Sequence, residues 1–196
     1  MDLDKLVAVA QAMVADNKGL LAADESTGTI TKRFDTINVE STENSRRDYR
    51  ELLFRAEGIG KYISGVILYD ETIKQSVNST SISKLISRSN AVPGIKVDTG
   101  AKTLSSSKEE KITEGLDGLR ERLEEYYKLG ARFTKWRGVY KISDSFPSKV
   151  AVSTNAHALA RYSSLVQESG MVPIVEPEVL MDGNHEAKTC LKKTTE

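Results

Sequence analysis

An α/β fold of βα units around a parallel sheet is what this sequence predicts, and three observations predict it. Apolar, strand-like runs alternate with amphipathic stretches of helical period. Successive strands start ~30 to 45 residues apart, the room a crossover helix needs. The strands also carry ionisable residues in their C-terminal halves, several of them as pairs spaced two apart. In a strand that spacing puts both members on one face. No linker or low-complexity block interrupts the pattern, so residues 1–196 are expected to form one domain of about five βα units.

The elements follow in order. Leu6, Val9, Ala10 and Met13 step along one helix face, closed near Gly19. "GLLAAD" is the first strand. "STENSRRDYRELLF" is a helix capped at Ser41 or Thr42. "YISGVILYDE" is the second strand, "SISKLISRS" a short helix and "PGIKVD" the third strand. Leu116, Leu119, Leu123 and Tyr126 step by three or four, which predicts a helix over residues 113–129, stopped by Gly130. "ARFTKWRGVYKI" is the fourth strand. A helix over residues 148–169 follows, and "MVPIVEPEVL" is the fifth strand.

Composition narrows the function. Lysine plus arginine and aspartate plus glutamate number 28 each, so bulk charge favours neither nucleic acid nor an anionic membrane. No apolar run approaches the ~20 residues that span a bilayer. The amphipathic N-terminus is not secretory in pattern. The single cysteine, Cys190, fits a reducing, cytoplasmic compartment and has no nucleophilic context. Two distant histidines, His157 and His185, read as surface groups and argue against a metal site.

The charges inside the strands are the informative feature. Asp24 ends the first strand, and Asp70 and Glu71 end the second. Lys96 and Asp98 lie in the third, Lys135 and Arg137 in the fourth, Glu176 and Glu178 in the fifth. In a parallel barrel their shared face is the lumen, and the C-terminal mouth is where chemistry sits. Buried charges must be neutralised. Three cations against three carboxylates do so, with Asp24 as a further carboxylate. A structural ion-pair plug and a catalytic site both fit this pattern; interleaved lysines and carboxylates are also how such groups are tuned for proton transfer.

Several motifs together carry a resemblance. "GLLAADESTGTITKRF", "YISGVIL", "PGIKVDTG", "EGLDGLRERLEEYYKLGARFTKWR", "ALARY" and "GMVPIVEPEVL", in this order over residues 16–185, resemble the class I, Schiff-base fructose-1,6-bisphosphate aldolases of glycolysis. The resemblance implies a (β/α)8 TIM barrel, here incomplete. It implies reversible cleavage of fructose 1,6-bisphosphate to dihydroxyacetone phosphate and glyceraldehyde 3-phosphate through a lysine iminium, with no metal or other cofactor. It also implies a homotetrameric parent enzyme.

Position by position, the resemblance makes Asp24 the strand-end aspartate that handles the C4 hydroxyl. Lys135 becomes the lysine that assists iminium formation, with Arg137 as its phosphate-side companion. Lys96 becomes a substrate-holding lysine. Glu176 becomes the acid/base that dehydrates the carbinolamine, and Glu178 the carboxylate that orients the lysines. Arg33, Thr29 and Arg46 become substrate-contacting positions, although Arg46 on an amphipathic helix suits a solvated or salt-bridged role better than ligand contact. Trp136 reads as packing and "SSSKEEK" as a solvated loop.

One departure is large. The family's Schiff-base lysine lies in a segment resembling "LLKPN", which does not occur here, and Lys188, Lys192 and Lys193 do not substitute for it. Thr134 and Thr99 stand where alanine and lysine are common in the family. The expectation is therefore the N-terminal part of an aldolase, inactive by itself. The competing expectations are a non-catalytic product that binds sugar phosphates or partner proteins, and another Schiff-base barrel enzyme such as a transaldolase.

Overall fold

The computed structural model describes residues 2–105 and 107–196. In chain order the elements are α1 (Leu3–Met13), β1 (Gly19–Ala23), α2 (Thr27–Asp35), α3 (Glu43–Phe54), α4 (Ile59–Tyr62) and β2 (Ile63–Leu68). Next come α5 (Asp70–Ile73), β3 (Ser76–Val77), β4 (Thr80–Ser81), α6 (Ile82–Arg88) and β5 (Val92–Lys96). The chain continues through β6 (Gly100–Thr103), β7 (Lys111–Glu114), α7 (Leu119–Lys128), β8 (Phe133–Tyr140), α8 (Lys149–Glu168), β9 (Val172–Val179) and α9 (Ala187–Thr195). Five strands form one parallel sheet in the order β1-β2-β5-β8-β9. Strand order follows chain order, as it does in a barrel wall. The architecture is an incomplete (β/α) barrel.

Both faces of the sheet are apolar over most of its area. On the helix side, Ala23, Val66, Leu68, Ile95, Val97 and Trp136 pack under α6, α7 and α8 in one core. Trp136 is fully buried there against Tyr162, so it is a packing residue. On the opposite face, Ile67 and Phe133 join Met13 of α1, with Val172 and Ile174 alongside. Two glycines make that plug possible. A Cβ on Gly94 would lie 2.3 Å from the Phe133 ring, and one on Gly65 would lie 2.8 Å from Leu20 and 3.0 Å from Phe133.

Helix starts follow local capping chemistry. Thr42 and Ser45 form a reciprocal capping box at α3, and the Ser148 hydroxyl accepts the Ala151 N–H at α8. The helix expected over 113–129 is shorter. It begins at Leu119, because residues 111–114 pair instead with 100–103 as an antiparallel hairpin. Gly115 and Gly118, at φ 132° and 62°, turn the chain between hairpin and helix in conformations that favour glycine. "SSSKEEK" is correspondingly not all solvated: Glu110 is buried and accepts the backbone N–H of Ser148 at 2.7 Å. Asp70 and Glu71 also depart from expectation. β2 ends at Leu68, and both acids belong to α5.

Candidate active site

The face that carries Ile67, Phe133 and Ile174 changes character towards the C-terminal ends of its strands. Lys96 follows Gly94 on β5, Lys135 and Arg137 follow Phe133 on β8, and Glu176 and Glu178 follow Ile174 on β9. Strand pleat keeps each series on one face. Register sets the strands level: Lys96 pairs with Lys135 across β5 and β8, and Arg137 with Glu176 across β8 and β9.

Every expected charge in this row finds a partner. Lys135 Nζ lies 3.3 Å from Asp24 Oδ2 and 3.2 Å from Glu176 Oε2. Arg137 Nη1 lies 3.1 Å from Glu178 Oε2. Lys96 Nζ lies 2.7 Å from Asp98 Oδ1 and also donates to the Asp98 carbonyl at 3.2 Å. Burial disfavours the charge on Lys135, but Asp24 and Glu176 outweigh it and hold its pKa above the ordinary lysine value. Lys135 is thus a firmly protonated cation.

A cavity of about 370 Å³ opens beside this row, lined by Asp24, Glu25, Ser26, Thr29, Tyr69, Lys96, Asp98, Thr99, Gly100, Ala101, Lys135 and Arg137. The hairpin β6–β7 forms one wall. It is clamped from behind by Asn155 of α8, which accepts from Thr113 N and donates to the Lys111 carbonyl. The opposite wall is the N-terminus of α2, where Ser26 caps the helix and its hydroxyl lies 3.0 Å from that of Thr29. A helix N-terminus with two hydroxyls suits an anion.

The remaining expected residues sit differently. Glu176 and Glu178 meet the cavity only through Lys135 and Arg137. Arg33 is reached through Glu25, whose carboxylate its guanidinium holds. Arg46 is buried and committed elsewhere: its Nε donates to Glu71 at 2.9 Å and its Nη1 to the Ser41 carbonyl. That contact holds the Glu71 carboxyl below its ordinary pKa. His157 is exposed, whereas His185 is half-buried with Nδ1 enclosed.

Sequence reasoning passed over Glu25, Tyr69 and Arg50. Arg50 is completely buried behind the α2 wall and donates to the Glu25 carbonyl at 2.6 Å. The signal was present, since Glu25 directly follows Asp24. Arg50, however, sits in a helix with three arginines, a composition that ordinarily marks a solvated face.

The comparisons decide the family. The family model of class-I fructose-bisphosphate aldolases matches residues 5–196. The chain belongs to that family. It is 53% identical over 195 residues to a probable fructose-bisphosphate aldolase class 1 of Xanthomonas campestris pv. campestris, covering 99% of this chain and 58% of the relative. It is 49% identical to the cytosolic fructose-bisphosphate aldolase 5 of Arabidopsis thaliana, covering 97% of this chain and 54% of that one. In structure it matches a fructose-bisphosphate aldolase from Plasmodium falciparum, solved with TRAP and a small-molecule inhibitor. That match has a TM-score of 0.93 at 48% identity, over 97% of this chain and 56% of the other. The chain therefore spans little more than half the length of these relatives.

Proposed function

We propose that these residues form the proton- and phosphate-handling side of an iminium-forming aldolase site, for reversible cleavage of fructose 1,6-bisphosphate in glycolysis. One observation supports this most: Lys135 is bracketed by Asp24 and Glu176 at a strand-end mouth beside a cavity. A cation so placed stabilises negative charge as it develops on substrate oxygens. Glu176, in contact with that cation, is placed to exchange a proton with the carbinolamine, and Asp24 to take the proton of the C4 hydroxyl as the carbon–carbon bond breaks. Glu178, expected to orient the lysines, is paired instead with Arg137 and orients that guanidinium. Lys96, Arg137, Thr29 and Arg33 hold substrate, and Arg46 supports the site through Glu71 and not by ligand contact.

The iminium needs an unprotonated amine at the ketose carbonyl. Lys135 is held charged and Lys96 is paired with Asp98, so neither serves. In this reading the amine lies outside these 196 residues, and the chain by itself cleaves no substrate. The cytosolic name of the Arabidopsis relative supports a cytoplasmic setting.

The test is borohydride trapping with dihydroxyacetone phosphate, followed by peptide mapping. No stoichiometric adduct on Lys96 or Lys135 is expected. An adduct there, with measurable cleavage of fructose 1,6-bisphosphate, would overturn the assignment of roles. Absence of cleavage by a protein that joins these residues to the remaining length of its relatives would overturn the aldolase reading itself.

A further inference from the structure

Arg50 is the buried cation that the proposed chemistry leaves unused. Its side chain is 0% exposed, yet only Nη2 makes a hydrogen bond, to the Glu25 carbonyl. Among the described residues Nε and Nη1 have no hydrogen-bond partner, and neither does the buried Oε2 of Glu25. The nearest carboxylate oxygens are close but not bonded. Glu25 Oε2 is 3.9 Å from Nη2 and Glu71 Oε2 is 3.9 Å from Nη1. Unmade bonds of this kind inside a protein are costly and uncommon.

Glu25 divides its carboxylate between two arginines. Oε1 is held by Arg33, whose side chain is 57% exposed, while Oε2 is turned inward near Arg50. Glu25 also lines the cavity next to Ser26 and Thr29. Arg33, Arg46 and Arg50 face Glu25 and Glu71, and the Glu43 charge is also felt at Arg46.

We propose that Glu25 is an internal stand-in for the substrate's phosphate: it pairs with Arg33 until a phosphate group arrives and displaces it onto Arg50. The proposal rests on the reading of Arg33 as a phosphate contact. A phosphate and a carboxylate on one guanidinium repel each other, so the weaker anion must leave. Arg33, being exposed, can follow the phosphate. Glu25 needs a move of only about 1 Å to bring Oε2 within bonding distance of Arg50. That move satisfies the orphaned Oε2 acceptor of Glu25 and gives Nη2 of Arg50 a second, charged partner. Glu25 thereby becomes a specificity-determining residue, since an uncharged sugar hydroxyl cannot evict a carboxylate from Arg33 and a phosphate can.

The experiment is titration of the full chain with inorganic phosphate at fixed ionic strength, by calorimetry, for the unaltered protein and two variants. Glu25→Gln removes the competing anion and keeps the shape, so phosphate should bind about three- to tenfold more tightly. Arg33→Met should weaken it by tenfold or more. In the unaltered chain phosphate should also shift the Arg50 guanidinium NMR signals, and in Glu25→Gln that shift should disappear. If Arg33→Met leaves affinity unchanged, the phosphate reading of Arg33 falls and the displacement falls with it. If Arg33→Met weakens binding but Glu25→Gln does not tighten it, the phosphate reading stands and the displacement is overturned. Arg50 signals that shift equally in both proteins would also overturn it.

Discussion

Lys135 and Arg50 are each flanked by two carboxylates, and the two settings serve their cations differently. Lys135, at the strand-end rim, has Asp24 and Glu176 both near 3 Å. Arg50, behind the wall, has Glu25 and Glu71 both at 3.9 Å and leaves two of its nitrogens unbonded. The rim pairs its charges closely where solvent reaches. The interior keeps its charges balanced but loosely held, where water does not reach. A tightly held cation is a fixed electrostatic device; a loosely held one can take up a group that moves.

Arg50→Leu tests this contrast most severely. It removes the cation buried between Glu25 and Glu71, which keep Arg33 and Arg46, and leaves the Glu25 carbonyl without its donor, so it should cost about 3 kcal/mol of stability, read by urea denaturation. A loss under about 1 kcal/mol would mean that Arg50 contributes nothing as a charge.

Glu176→Gln probes the rim. In a complete protein it should leave substrate binding largely intact and slow turnover by about 10²- to 10⁴-fold. Near-normal turnover would remove Glu176 from the acid/base role.

Lys135→Met should cost about 1.5–3 kcal/mol near neutral pH, and its cost should depend on pH. The folded pKa of Lys135 is raised, so its stabilisation is complete below the unfolded lysine value of ~10.4 and is lost as pH rises through the folded value. The stability curve above about pH 10 should therefore be flatter in the variant. Tyr126 loses its contribution in the same window. Burial, with a hydrogen bond to Asp70, pushes its pKa up to about 12. Tyr126→Phe separates the two. A curve unchanged by Lys135→Met would mean that the close pairing at the rim stabilises nothing.

Arg137→Met should matter least to the fold. The Arg137 side chain is 45% exposed, and its pair with Glu178 should be worth under about 1 kcal/mol in thermal melts.

The parallel sheet was legible because apolar runs and two-residue charge spacing are local signals. The rim was legible for the same reason: Lys96, Lys135, Arg137, Glu176 and Glu178 announce a shared face by parity alone. Residues 113–118 were misread because Leu116 continues the helical step of Leu119 and Leu123, while pairing of 111–114 with 100–103 is a non-local event. Helix α2 went unread as a helix. Its "TGTITKR" is poor in helix formers, and its stability comes from the Ser26 cap and from Ile30 and Phe34 buried one turn apart. Arg46 and Arg50 illustrate the reverse problem. Their charge predicts exposure, and only tertiary packing places Glu71 and Glu25 where burial is tolerable.

The two prolines of β9 carry a consequence for any further strand that pairs with it. Val172 N and Leu180 N donate back across the sheet, to Arg132 O and Tyr140 O. By the alternation of a strand, even-numbered amides face β8 and odd-numbered ones face away. Pro173 and Pro177 both fall on the outward side, where a missing N–H costs the ladder to β8 nothing. Of the four outward positions in β9, only Val175 and Val179 offer a donor. A strand laid on that side, whether the next strand of the barrel or one from another chain, would meet half of the β9 donors missing, while the ladder to β8 is left whole. Pairing on that side therefore rests on the β9 carbonyls more than on its amides.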